Sequence, residues 1–131
     1  EAKIAAARDP AMHAVKLDLL ADALPAPSPH IIYSAMTLHH IPDTDAILRR
    51  FHAALARPGY LCIADLDTED GSFHGPGVDV HHGFDRAELA AKARAAGFPS
   101  VEFSTAHVMT KAVNGTPRQF PIFLMVAHAG D

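Results

Sequence analysis

Two strand-like runs near the carboxyl terminus, Val101 to Val113 and Phe120 to Ala127, flank the segment Asn114-Gly115-Thr116-Pro117. Parallel neighbours need a crossover of roughly a dozen residues or more, and this gap has no room for a helix, so the two runs must pair antiparallel. Upstream the pattern is different. Ile31 to Met36 (IIYSAM) and Tyr60 to Leu66 (YLCIADL) are near-continuous apolar runs, the kind buried on both faces of a parallel sheet. Between them Asp43 can cap a helix over Thr44 to Ala56, with Ile47, Leu48, Phe51 and Leu55 as its apolar stripe and Arg49, Arg50 and Arg57 off it. Pro58-Gly59 stops that helix. Asp85 can cap a second one, with Glu88 in the capping-box position and Leu89, Ala90 and Ala93 as a narrow apolar face running up to Gly97. The order strand, helix, strand, helix, strand, strand describes an α/β domain closed by a helix-free antiparallel pair.

Earlier still, Ala2 to Arg8 reads as the end of an Ala-rich helix stopped at Asp9-Pro10. Ala14 to Leu19 reads as a strand ending near Asp18, and Leu24 to Pro29, with three prolines, as a loop. The chain opens on Glu1 in what reads as the middle of a helix, so a longer parent protein is expected. The 131 residues suit one domain.

Charge and composition remove several classes of function. A formal net charge of -4 with no Lys/Arg block offers no footprint for a phosphate backbone, so no nucleic-acid partner is expected. No apolar run approaches a membrane span and no signal peptide opens the chain, which makes the cytoplasm the default location and a membrane partner unexpected. The single Cys62 has no internal disulfide partner and reads as a small buried hydrophobe.

Chemistry is expected where the strands stop, because open α/β sheets bind ligands beyond the carboxyl ends of their strands. Ser34 to His40 occupies that place after the Ile31 run, and Asp65 after the Tyr60 run. The residues 67–83, rich in Gly, Asp and His and without periodicity, read as a lid loop. The acids Asp65, Asp67, Glu69 and Asp70 fail as a calcium loop: Gly71 comes one place late for the sharp turn, and Pro76 stands where the bidentate Glu belongs.

His39 and His40 sit at the active edge, and His81 and His82 close the lid. One His of each pair can face substrate and accept a proton near neutral pH; the plainer alternative is a hydrogen-bonded surface or packing residue. His39, His40 and His82 are the candidate catalytic groups, and Asp65 and His81 the candidates on the substrate side. No metal is expected, because adjacent histidines diverge and no H-E-x-x-H is present. A metal centre would need three or more of His39, His40, His74, His81 and His82 to converge on one point.

Taken in order, Asp18-Leu19 with Leu24-Pro25, HIIYSAMTLHHIPD, ALARPGYLCIADL and HHGFDRAELAAKARAAGF resemble successive motifs of the class I S-adenosylmethionine-dependent methyltransferases, in their small-molecule members. The resemblance spans nearly the whole chain and corresponds to the carboxyl-terminal two-thirds of that domain. It implies a Rossmann-like methyltransferase sheet, mostly parallel with a terminal antiparallel strand pair, whose first strands and glycine-rich loop are missing here. It also implies S-adenosylmethionine as cofactor and a small-molecule methyl acceptor. By the same resemblance Asp18 would accept a hydrogen bond from the adenine amino group, the Leu19 amide would donate to the ring, and Ser34 and Ala35 would lie under the methionine part. The family's first strand, which lies beside the Ile31 run, has no counterpart, and that run is expected to expose an edge open to a second copy of the chain. The contrasting expectation is a non-catalytic remnant that uses this edge as a dimerisation or binding surface.

Overall fold

The computed structural model describes residues 28–75 and 77–131. The expected helix over Ala2 to Arg8, the strand over Ala14 to Leu19, and Asp18 and Leu19 themselves lie outside the described residues. Four strands form one sheet in the order β1-β2-β4-β3: β1 is Ile31–Ala35, β2 Tyr60–Leu66, β3 Ser100–Val113 and β4 Thr116–His128. β1 pairs parallel with β2, while β4 runs antiparallel to both β2 and β3 and separates them. Three of the four strands therefore point the same way, and β4 is the reversed strand inserted among them. Two helices, α1 (Thr44–Ala54) and α2 (Arg86–Ala95), make the crossovers β1-α1-β2 and β2-α2-β3.

The caps form as the sequence dictates. Asp43 accepts from the Ala46 amide at 3.0 Å, and Asp85 from the Glu88 amide at 3.0 Å, each satisfying one of the amides a helix start leaves open. Helix α1 stops at Ala54, two residues before the expected end, because Leu55 turns extended and the Ala56 amide donates to Pro29 O instead. Ile47, Leu48 and Phe51 of α1 and Leu89 and Ala93 of α2 share one core with Leu61, Ile63, Phe123 and Met125 of the sheet, and Ala90 is buried as well. Truncating a ring such as Phe123 to Ala in this core costs about 3–5 kcal/mol.

A second, smaller core forms from Leu66 at the end of β2 with Phe73, Phe120 and Ile122, and Met36, Ala64, Met109 and Val113 pack on it. This core roots the 67–83 loop on the sheet. The ring of Phe73 meets Phe120 edge-on at 5.2 Å.

Several expectations are corrected. The Ile31 run is not buried on both faces: Ile31 and Tyr33 are 62% and 78% exposed, while Ile32 and Ser34 turn toward the helices. Cys62 is half-buried, since it alternates with Leu61 and Ile63 toward the face the helices do not cover. β1 ends at Ala35 rather than Met36, which lies at a φ of 55° and swings the chain out of the sheet.

The hairpin is also longer than expected. Its connection is Asn114-Gly115 alone, both with positive φ, as a two-residue type I′ turn requires, and Thr116 already pairs with Val113. Pro117 and Pro121 are tolerated inside β4 because the backbone of residue 121 faces the β2 side, where its carbonyl accepts from Asp67, and position 117 shares that side. Pairing of β2 with β4 stops at Ile122, so neither missing amide breaks a ladder.

Candidate functional site

At the carboxyl ends of β1 and β2 the chain leaves the sheet through Met36 and enters a 3-10 turn at Leu38–His40. That turn carries His39 and His40. It is fastened from below by Asp65, near the end of β2: Oδ2 accepts from the His39 amide at 3.0 Å, and Oδ1 accepts from His39 Nδ1 at 2.6 Å and from the Leu66 amide at 2.7 Å. Asp65 is 0% and His39 1% exposed, so this pair is shielded from water. A bond in a dry setting is stronger than the same bond at the surface, and losing either partner would leave the other buried and unpaired.

The Asp65 bond also fixes the tautomer of His39. With its proton on Nδ1, donated to Asp65, the ring presents a bare Nε2 outward, and there His74 Nε2 lies 2.9 Å away. His74 comes from the 67–83 loop. Its turn is held by Glu69, whose Oε2 accepts from the amides of Gly71 and Phe73, while Oε1 is buried with no hydrogen-bond partner among the described residues. The rings of His39 and His40 lie 4.2 Å apart, and those of His40 and His74 5.5 Å apart. One potential ligand atom from each of the three imidazoles falls within 4.8 Å of the others.

The divergence expected of adjacent histidines is therefore not what the 3-10 turn produces. Its tight winding leaves the two rings tilted together, and His74 closes the group from above. Burial holds the His74 imidazole below its ordinary 6.5, with the nearby His39, His40 and Lys111 acting in the same direction and Glu69 opposing them.

The remaining candidates are placed as follows. His40 is exposed and lines a cavity of about 200 Å³ with His39, Pro42, Asp79, Val80 and His81. His81 has a fastening role: its Nε2–H donates to Ile41 O at 2.8 Å, and its amide donates to His39 O at 2.8 Å, tying the loop to the 3-10 turn. His82 is exposed on the wall of a wider cavity of about 710 Å³ that also takes in His74, Lys111 and Phe73. Asp65 is placed beneath His39 rather than at the substrate surface proposed for it, because its parity on β2 is that of the buried Leu61 and Ile63. Ser34 and Ala35 line a third cavity of about 510 Å³, with Tyr33, Thr37, Leu38, Ile41 and Phe51.

Sequence reasoning named His74 among the histidines that a metal centre would need but did not foresee that it meets His39 and His40, nor that Asp65 pairs with His39. The available signal was positional: each acid or His follows a strand or a loop whose end the sheet brings to the same edge.

The 67–83 loop is clamped at its base. Asp67 and Phe84 form an isolated parallel bridge, and Arg86 grips Asp67 with Nε at 2.8 Å and Nη2 at 2.9 Å while also reaching Thr105. That hold raises the Arg86 pKa further. Farther out, Asp70 accepts from Ser72 and Arg118, which lower its carboxyl pKa from 3.8 to about 2. The Lys111 ammonium donates to Phe73 O and lies over the Phe73 ring.

No family model and no curated protein matches this sequence. The fold does match solved structures. A Bacillus halodurans C-125 protein provisionally assigned as a methyltransferase superimposes with a TM-score of 0.74 at 13% identity, over 99% of this chain and 77% of its own. An S-adenosylmethionine-dependent methyltransferase of Thermotoga maritima gives 0.68 at 18% identity, over 98% of this chain and 68% of its own. Phosphoethanolamine N-methyltransferase 2 of Haemonchus contortus, solved with phosphomonomethylethanolamine and S-adenosylhomocysteine, gives 0.66 at 15% identity over 87% of this chain and 36% of its own. With the reversed strand β4 set between β2 and β3 and the site residues gathered at the carboxyl ends of β1 and β2, the chain has the class I S-adenosylmethionine-dependent methyltransferase fold.

Proposed function

We propose that this chain takes part in S-adenosylmethionine-dependent methyl transfer to a small-molecule acceptor. The observation that carries the reading is the buried Asp65–His39 pair at the carboxyl ends of two parallel strands in a methyltransferase fold, with an outward-facing imidazole nitrogen.

The residues present fit part of the cofactor. Ser34 and Ala35 end β1 with small side chains beside an open cavity, where backbone and a bound methionine moiety can approach closely. Asp18 and Leu19, proposed for the adenine end, lie outside the described residues. Bound S-adenosylmethionine supplies a methyl group on a positively charged sulfur. The chain's own residues then have two tasks, to align the acceptor and to take up its proton where it carries one.

His39 and Asp65 suit the second task. Asp65 holds the imidazole in one orientation with Nε2 bare, and His74 and His40 extend the reach of that nitrogen to the cavity wall. A proton released by an acceptor N–H or O–H passes to this imidazole group, and Asp65 keeps the chain of rings aligned. The 67–83 loop acts as the lid, since it carries His74 and is fastened to the 3-10 turn through His81. A small polar acceptor suits cavities lined by His, Lys and acid side chains better than a lipid does.

The test is transfer of an isotopically labelled methyl group from S-adenosylmethionine to a panel of small amines, phenols and thiols. Turnover that falls at least 100-fold in His39→Ala, while the fold measured by circular dichroism is kept, supports the reading. Equal turnover in His39→Ala and the parent sequence would contradict the role given to His39. Absence of turnover with every acceptor class, together with dimerisation through β1, would favour the non-catalytic binding module.

A further inference from the structure

We propose that His39, His40 and His74 form a binding site for a divalent transition-metal ion of zinc type, with Asp65 as the positioning residue behind His39. The proposal rests on the arrangement of these side chains alone and not on methyl transfer; an ion on His39 Nε2 takes the lone pair that the proton-accepting role uses, so the two roles of that nitrogen are alternatives.

Three imidazoles offer ligand atoms within 4.8 Å of one another, with His74 lining one cavity and His39 and His40 another. His39 can offer only Nε2, since Nδ1 is committed to Asp65 at 2.6 Å. Metal-bound histidines commonly have this arrangement, in which the second ring nitrogen donates to a carboxylate that fixes the tautomer and strengthens the ligand. Asp65 is fully buried and also holds the His39 backbone amide at 3.0 Å, so ligand and support are fixed before any ion arrives.

The closest pair already stands near the spacing of two ligands, and the third atom lies within 4.8 Å. Two nitrogens about 2.0–2.1 Å from a tetrahedral zinc ion stand roughly 3.3 Å apart, against 2.9 Å between His39 Nε2 and His74 Nε2. His74 lies on a loop turn and His40 at the exposed end of a 3-10 turn, so both can adjust while His39 stays fixed. Two imidazole nitrogens facing each other at hydrogen-bond distance can share only one proton, and an ion between them would satisfy both lone pairs at once.

The donor set selects the ion. Three neutral imidazoles without a thiolate suit zinc, cobalt, nickel or copper and not magnesium or calcium, which take oxygen ligands. Three protein ligands leave the fourth position for water or an anionic oxygen or sulfur donor, as in catalytic rather than structural zinc sites. Lys111, on the wall of the cavity that His74 also lines, adds a positive charge that favours such an anion there. Glu69 contributes the opposite charge: its carboxylate holds the turn carrying His74 and leaves one oxygen buried and unpartnered among the described residues.

The sequence has ten histidines, so weak surface binding must be separated from a built site. The experiment is titration of the metal-free protein with Zn2+ by calorimetry against a competing chelator, repeated with Co2+ by visible absorption. The expected result is one equivalent bound at micromolar affinity or tighter, with the intense bands of tetrahedral Co2+. His40→Ala and His74→Ala, both at adjustable positions, should each weaken binding at least 10-fold, and Asp65→Asn about 10–100-fold. His107→Ala, at an exposed position on β3, should leave it unchanged. Binding that is equal in the parent sequence and the His40→Ala/His74→Ala double variant would overturn the proposal, as would a Co2+ spectrum of octahedral type only.

Discussion

Asp65 shows at the scale of one residue how the fold makes chemistry out of position. An acid at a strand end reads as substrate-facing in the sequence, yet the period of two along β2 turns it to the helix side, where it holds His39. Asp65→Asn separates orientation from packing. The amide keeps the shape but would donate toward Nδ1 and push the His39 proton to Nε2, so nitrogen-15 NMR should show the opposite tautomer with the fold intact. An unchanged tautomer would mean that Asp65 does not set it.

His74 provides a second prediction at this scale. Its folded-state pKa is depressed, so the folded protein favours the neutral ring, and stability is expected to fall as pH drops below 6.5 toward the depressed value. An NMR titration should place its midpoint below 6.5; a midpoint at or above 6.5 would contradict the burial that causes the shift. Neither the Asp65–His39 bond nor the approach of His74 was legible in the sequence. Both partners lie far apart along the chain and meet only because strand ends and loop share one edge.

Among elements, the parts governed by local rules were legible. Asp43 and Asp85 cap the helices they were expected to cap, and Leu89, Ala90 and Ala93 form the buried face of α2. The hairpin boundary was misjudged because Pro117 reads as a strand breaker, and its harmlessness depends on what lies on the other side of β4. The turn itself can be tested: Gly115 has a φ of 78° and open space around its missing Cβ, so Gly115→Ala should cost about 1–2 kcal/mol, through backbone conformation alone. Chemical denaturation measures this, and no change would mean the turn relaxes to another type.

The base of the 67–83 loop is expected to be less forgiving. A Cβ on Gly83 would stand 2.0 Å from Asp67 O, so Gly83→Ala should open the Asp67–Phe84 crossing. Hydrogen exchange should then accelerate across the loop and leave α1 and β2 protected; uniform protection in both proteins would contradict a loop pinned at that point. Acid should loosen the outer part of the same loop. The depressed Asp70 carboxyl contributes stability above its ordinary 3.8 that is lost as pH falls toward about 2.

For the whole molecule, the order of elements was legible because connection lengths leave few topologies: a parallel pair joined by a helix, then a hairpin too tightly connected for anything but antiparallel pairing. The exposed Ile31 and Tyr33 fit the open apolar edge expected of that run and overturn its expected burial on both faces, since a continuous apolar run does not say which of its faces is covered. None of the described helices is long and apolar enough to cross a membrane. By the function proposed above, the carboxyl ends of β1 and β2 form the edge at which the methyl donor binds. Amide chemical shifts recorded during titration with S-adenosylhomocysteine test it directly. Saturable shifts concentrated at Ser34, Ala35, Thr37 and His39, with Asn114 and Gly115 at the hairpin tip unmoved, are expected. A folded protein whose Ser34 to His39 amides do not respond, or respond no more than the hairpin tip, would contradict it.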